Sequence, residues 1–266
     1  MTCKRRLKGH LSRITCMETT NNTIVSADTG GNIMLWDLER SPETLPWSYL
    51  SGELVGTLKT VFPVAVVSLK YDDMNLAAGS ADGKVKVWDL NSVRLKHTLK
   101  VTPDTEEQQQ NNNAINCIAL QANEIITGSQ DGLIKVWDMN TGKAHTSYQN
   151  NYEISCIQQF DSNSLCFSSH QENVIKVWDS RFPARPSRIF PGFGTGVQQF
   201  SFDGAKFVAA QSNLSVAILC LGGDPPVPES IALPLTPIDA SPVFFTDSLL
   251  VVAGSAKVVL RHFDAI

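Results

Sequence analysis

The chain has 266 residues, 42% of them apolar, which is enough to bury a core and too much for a disordered chain. Its formal charge of −4 and pI near 5.7 speak against a nucleic-acid partner, which needs a concentrated basic stripe. The one basic cluster near the start, Lys4, Arg5, Arg6 and Lys8, has no interleaved aromatics and reads as a solvated strand face. No apolar run follows Met1, so no signal peptide is read there. The most apolar stretches, VFPVAVVSL and SLLVVAGSAKVVL, fall far short of the ~20 residues of a membrane helix. A cytoplasmic or nuclear address without membrane contact is therefore expected, and the sequons at Asn21 and Asn213 have no role in it.

In chain order, TCKRRLKGH reads as a strand, followed from Ile14 by ITCM and then by GGNIMLWD, which ends on Trp36-Asp37. Residues 41–51 interrupt the pattern with Pro42, Pro46, Trp47 and Tyr49, aromatics that either pack back on the sheet or anchor a partner. VVSL from Val66 and DGKVKVWD repeat the motif up to Trp88, and a polar, low-complexity insertion at 101–113 reads as a mobile loop. INCI from Ile115 leads to DGLIKVWD and Trp137, and ISCI from Ile154 leads to ENVIKVWD and Trp178. VQQF from Val197 leads to LSVAILCL, with Leu219 in the Trp place. DPPVPE around Pro225 and Pro228 reads as a stiff link or as a polyproline ligand, and VVLRHFD places Phe263 as the last copy.

The distances make this a repeat. Ile14 to Trp36, Val66 to Trp88, Ile115 to Trp137 and Val197 to Leu219 are each 22 residues, while Ile154 to Trp178 is 24. The Trp places recur every 41 to 52 residues, a period that belongs to propellers and solenoids. Within KVKVW, Val85 and Val87 share one face while Lys84, Lys86 and Trp88 share the other. Ile33 and Leu35, Ile134 and Val136, Ile175 and Val177, and Val216 and Ile218 repeat that alternation. Asp82-Gly83 and Asp131-Gly132 supply the positive φ of tight hairpins. With no sustained 3.6-residue period, the pattern predicts an all-β stack of four-stranded sheets.

The Gly9-His10 pair, the GSADG and GSQDG turns and four Trp-Asp dipeptides resemble the WD-repeat family along the whole chain. That resemblance implies a single β-propeller domain over residues 1–266, with six blades closed by the N-terminal strand. It implies that His10 supports a hydrogen-bonded group with a nearby Ser, an Asp and Trp36. The aligned places hold Phe62, Asn111, Asn150 and Phe193, and Gly30 and Glu172 replace the turn Asp in units one and four, so those blades should be less firmly pinned. The function implied is a non-catalytic protein-interaction scaffold, a monomer within a hetero-complex, binding a protein or peptide. On the face of the Gly-His loops and Asp-Gly turns, the candidate contacts are Arg13, Gln130, Tyr152, Glu153, His170, Gln171 and Phe193.

A second reading rests on VWDSR, which is similar to the W-D-x-R form of cullin-RING ubiquitin-ligase substrate receptors. In that resemblance Arg181 projects to contact the ligase adaptor, whereas Arg40 lacks the spacing. LKGHLSRITC is likewise similar to the repeats of F-box/WD proteins, although no F-box precedes it. A third reading, a propeller hydrolase, needs converging polar groups in a central channel. No nucleophile elbow, phosphate loop or H-E-x-x-H motif is present, and ADTGG has no second copy, so it reads as turn geometry rather than a protease carboxylate. Cys16, Cys117 and Cys156 occupy one repeat position, and no C-x-x-C pair exists. They are expected as buried core residues, with no metal or cofactor.

Overall fold

The computed structural model describes the chain apart from residues 1–8, 20–22, 38–53, 59–63, 73, 93, 102–112, 122, 180, 183, 194–195, 212–214, 222–228, 233–239, 246–248, 255–257 and 263–266. Every helix-or-strand element among the described residues is a strand, as the alternation predicts. The first sheet is β1 (Ile14–Thr19), β2 (Thr23–Asp28), β3 (Ile33–Asp37) and β4 (Leu54–Leu58), and the second is β5 (Val66–Tyr71), β6 (Asn75–Ser80), β7 (Lys84–Asp89) and β8 (Arg94–Lys100). The third is β9 (Ile115–Gln121), β10 (Glu124–Ser129), β11 (Leu133–Asp138) and β12 (Ala144–Gln149), and the fourth is β13 (Cys156–Asp161), β14 (Ser164–Ser168), β15 (Ile175–Asp179) and β16 (Arg188–Phe190). The fifth is β17 (Val197–Phe202), β18 (Lys206–Gln211), β19 (Ser215–Cys220) and β20 (Glu229–Ala232). In each, consecutive strands are neighbours, so every sheet is a meander that local turns can build.

Among the described residues five four-stranded blades are formed, not the six expected. The last unit has three strands, β21 (Ala240–Phe245), β22 (Leu249–Gly254) and β23 (Val258–His262). The expected closing strand falls in residues 1–8, outside the described residues, and only four residues follow β23 in this sequence. The Trp-Tyr insertion, the polar insertion and the Pro-rich link fall largely or wholly outside them as well.

The chain divides into two compact units, residues 1–126 with 137–144, and residues 127–136 with 145–266. In the first unit Val25, Ala27, Ile33, Val66, Leu69, Leu76, Ala78 and Trp88 form one core. Both faces of β6 are buried, which its small residues allow: a Cβ on Gly79 would lie 2.6 Å from both Ile115 Cγ2 and Ser68 Oγ. Hydroxyls on inner strands hook the next inner strand. Thr15 donates to the Val66 carbonyl at 2.5 Å and Ser68 to that of Ile115 at 2.7 Å. The anchor positions Val66, Ile115, Ile154 and Val197 are fully buried, but their counterpart Ile14 is 52% exposed.

In the second unit Cys166, Ile175, Val177, Val197, Phe200, Phe207, Ala209 and Leu219 form a core. Phe160 and Phe202 pack against it and stack on Phe207, with the Phe202 and Phe207 centroids 4.5 Å apart. Ser155 hooks the Val197 carbonyl at 2.9 Å, repeating the device of the first unit.

The shared cysteine position is less uniform than its repeat suggests. Cys117 is buried, whereas Cys16 and Cys156 are half-buried, because β1 and β13 leave more of their surface open than β9 does. Cys16 still packs against the first core, and burial pushes its thiol up to about 12.

Candidate protein-binding surface

The group expected around His10 is present. His10 Nδ1 lies 2.7 Å from Asp28 Oδ2 and Nε2 lies 2.7 Å from Ser26 Oγ, while Trp36 Nε1 donates to Ser26 Oγ at 2.8 Å. A carboxylate only accepts, so Nδ1 donates to Asp28; on a neutral ring Nε2 then accepts from the Ser26 hydroxyl. The result is a continuous chain from Trp36 through Ser26 and His10 to Asp28, in which each bond polarises the next.

Asp28 also corrects the expectation that a Gly in the turn-Asp place leaves the first blade weakly pinned. Its Oδ1 accepts from the backbone N–H of Gly30 at 2.9 Å and of Asn32 at 3.0 Å, and from Asn32 Nδ2. The carboxylate has moved two residues back rather than disappeared. Burial alone would raise its carboxyl. The Asn32 backbone bond, with those from His10 and the Asn32 side chain, outweighs burial and holds it below its usual value. The Asp-Gly turns of blades two and three work as predicted, with φ of +76° at Gly83 and +81° at Gly132, and Ser80 and Ser129 each donate to the turn Asp.

In the second unit four loops are tied to one another. Gly132 O accepts from Asn150 N at 2.9 Å, Ser129 O from Ile154 N at 3.1 Å, and Asp131 O from Gln149 Nε2 at 2.8 Å. These bonds join the β10–β11 turn to the β12–β13 loop. Asn150, in the His place, donates to Glu172 Oε2 at 3.2 Å, and Lys176 bridges Asn150 Oδ1 at 2.9 Å and Glu172 Oε1 at 2.5 Å. Lys176 and Glu172 are 13% and 17% exposed, so this is a largely desolvated pair that pins the β14–β15 turn. Glu172 therefore replaces the turn Asp in function, and the expectation of a weakly pinned fourth blade is corrected too. The backbone of Gly196 packs so closely on that turn that a Cβ would lie 1.6 Å from the His170 carbonyl oxygen.

These tied loops carry most of the sequence candidates. Gln130, Tyr152, His170 and Gln171 are exposed and Glu153 is half-buried. Tyr152 is 42% exposed, and its carbonyl is fixed by Asn150 Nδ2 at 3.0 Å. Arg13 is exposed in the first unit, where its carbonyl accepts from Thr29 N. Phe193 is fully buried in the second core, where it packs with aliphatic and aromatic side chains, and presents nothing to a partner. Arg181 is exposed, but its guanidinium is clamped on Asp179, with Nε and Nη2 bonded to the two carboxylate oxygens at 2.9 and 2.6 Å. That side-chain pairing holds the Asp179 carboxyl down to about 2. Sequence reasoning missed Lys176, whose role shows only when Asn150 and Glu172 are brought together in space. Among the described residues no group of three or more His, Cys, Asp or Glu is placed to hold a metal ion.

Four-stranded meanders whose third strand ends in Trp-Asp in four copies, with a Trp-Ser-His-Asp chain in the first, define a WD-repeat β-propeller. The chain belongs to the Nucleolar protein 10-like, N-terminal domain family, which matches residues 3–179. It is also similar to Mitochondrial division protein 1 of Chaetomium globosum, 30% identical over 107 residues, covering 35% of this chain and 16% of that protein. CCR4-associated factor 4 of Saccharomyces cerevisiae is 25% identical over 210 residues, covering 75% of this chain and 29% of that protein. The chain thus spans less than a third of the length of either relative. The crystal structure of the computationally designed Ika8 protein shares the fold, with a TM-score of 0.65 and 20% identity over 96% of this chain and 85% of that one.

Proposed function

We propose that the chain is a non-catalytic platform that binds a protein or peptide on the tied loops of its second unit. The observation that carries this reading is that Gln130, Tyr152, His170 and Gln171 stand exposed on loops fixed by hydrogen bonds and an ion pair. Fixing the loops before binding reduces the ordering cost that a partner must offset. The propeller family and the relatives support a scaffold role. The family's name places its namesake in the nucleolus, and we extend that address to this chain.

The test compares affinity-purified partners of the tagged chain with those of a Tyr152→Ala/His170→Ala variant. Both side chains are exposed, so the variant is expected to fold and to lose a specific subset of proteins. The same set recovered from both would overturn the reading. An Arg181→Ala variant is expected to recover the same partners as the wild type, and selective loss of a ligase adaptor would favour the ubiquitin-ligase reading instead. Imaging of the tagged chain is expected to show nucleolar signal; exclusion from the nucleus would reject the extended address.

A further inference from the structure

The outer edge of the fourth blade is chemically unlike the rest of this acidic chain. Residues 180–190 hold Arg181, Arg185 and Arg188 and no acidic side chain, against a formal charge of −4 for the whole. Asp179 clamps the Arg181 guanidinium and the Asp161 carboxylate also acts on it, which leaves Arg185 and Arg188, both exposed, as the open cations of this edge. Arg188 is parked over the Phe160 ring, its guanidinium carbon 5.9 Å from the centroid, which restrains its rotamers while leaving its edge open to solvent. Two large apolar side chains stand out beside these charges, Phe182 at 70% and Ile189 at 54% exposure. β16 is the last strand of its sheet, and among the described residues no further strand of that sheet bonds to its outer edge. Ser187 closes the preceding loop, donating from its backbone N–H to Val177 O at 2.7 Å.

We infer that the β15–β16 loop and the edge of β16 form a second binding surface, for an extended acidic peptide segment of a partner protein. Arg185 and Arg188 would take its carboxylates in charge-assisted, fork-shaped hydrogen bonds, and Phe182 and Ile189 would take alternate apolar side chains. A single-stranded nucleic acid fits less well. Such binding depends on a run of phosphate contacts and on several stacking faces, and here two open cations accompany one well-exposed aromatic. This surface is distinct from the tied loops, and its failure would leave the reading of those loops standing.

The experiment measures binding of the full chain to a labelled peptide of alternating Glu and Val, to the same peptide with Gln for Glu, and to a single-stranded oligouridine of equal charge. The acidic peptide is expected to bind about tenfold or more tightly than the Gln peptide, to weaken with salt, and to lose about tenfold with Arg185→Glu/Arg188→Glu. Should that variant unfold, Arg185→Gln/Arg188→Gln serves in its place. Equal binding of the Gln peptide, binding that survives the double substitution, or no binding at all would each overturn the proposal. Tighter binding of the oligonucleotide would overturn it in favour of a nucleic-acid surface.

Discussion

Trp36 and Trp178 are the same letter in the same repeat place, yet their indole nitrogens have different fates. Trp36 Nε1 donates to Ser26, while Trp178 is fully buried and its Nε1 has no hydrogen-bond partner among the described residues. The cause lies across the strand pair: Ser26 faces Met34 in blade one, and the equivalent residue of blade four, facing Lys176, is Phe167. Phe167 and Tyr148 instead surround the indole region with rings, Tyr148 lying 5.6 Å from Trp178. Trp36→Phe should therefore cost about 1 kcal/mol more than Trp178→Phe, the worth of one hydrogen bond, as read from urea midpoints at constant slope. Equal costs would mean that the Ser26 bond contributes nothing. Asp28 adds a pH dependence. Its folded carboxyl titrates below the usual 3.8, so its contribution is fully present above that pH and is lost as pH falls through and below it. Asp28→Asn should flatten this part of the stability curve, and an unchanged acid limb would show that the carboxylate is not the linked group.

At the scale of elements, turns and loops decide where the candidate surface can be rigid. A Cβ at Gly132 would lie 2.5 Å from the Asn150 carbonyl oxygen and 2.7 Å from that of Tyr152, at a φ of +81°. Gly204 has a φ of +98° and, among the described residues, no neighbouring atom within 4 Å of where its Cβ would lie, so it shares the backbone strain without the crowding. Gly204→Ala should cost about 1–2 kcal/mol for the left-handed backbone alone, and Gly132→Ala about 1–3 kcal/mol more for overpacking. Chemical denaturation of the two variants measures the difference, and matching losses would show that the loops give way without cost.

The strands and the Asp-Gly turns were legible because period-two alternation and the 22-residue spacing report local geometry. Even the 24-residue spacing of unit four has its counterpart in the longer turn between Ser168 and Ile175. The Asn150–Lys176–Glu172 ties were not legible, since a repeat column compares equivalent positions and says nothing of residues that meet across loops. Phe193 failed for the same reason: it sits in the Gly-His column, but the core of the second unit, not the column, determines its burial.

At the scale of the whole molecule, the five free cysteines among the described residues, distributed through both units, report on local opening. Cys220 is exposed, Cys117 and Cys166 are buried, and Cys16 and Cys156 lie between. Only the thiolate reacts, and burial pushes Cys16 up to about 12 and Cys166 well above its ordinary value. Thiol labelling near pH 8, in a Cys3→Ser background to remove the sixth cysteine, should then proceed in order: Cys220 quickly, Cys166 and Cys117 only as fast as their blades open. Cys16 should lag behind what its partial exposure suggests, because its thiolate is scarce. A denaturant series would extend the ladder, since buried sites should accelerate in step with unfolding while Cys220 stays nearly constant. Zinc should protect none of them if these thiols serve packing. Labelling of Cys16 and Cys166 at the rate of Cys220 would contradict the packing of β1 in the first unit and of β14 in the second, and zinc-dependent protection would assign a metal-binding role that the shared cysteine position is not expected to have.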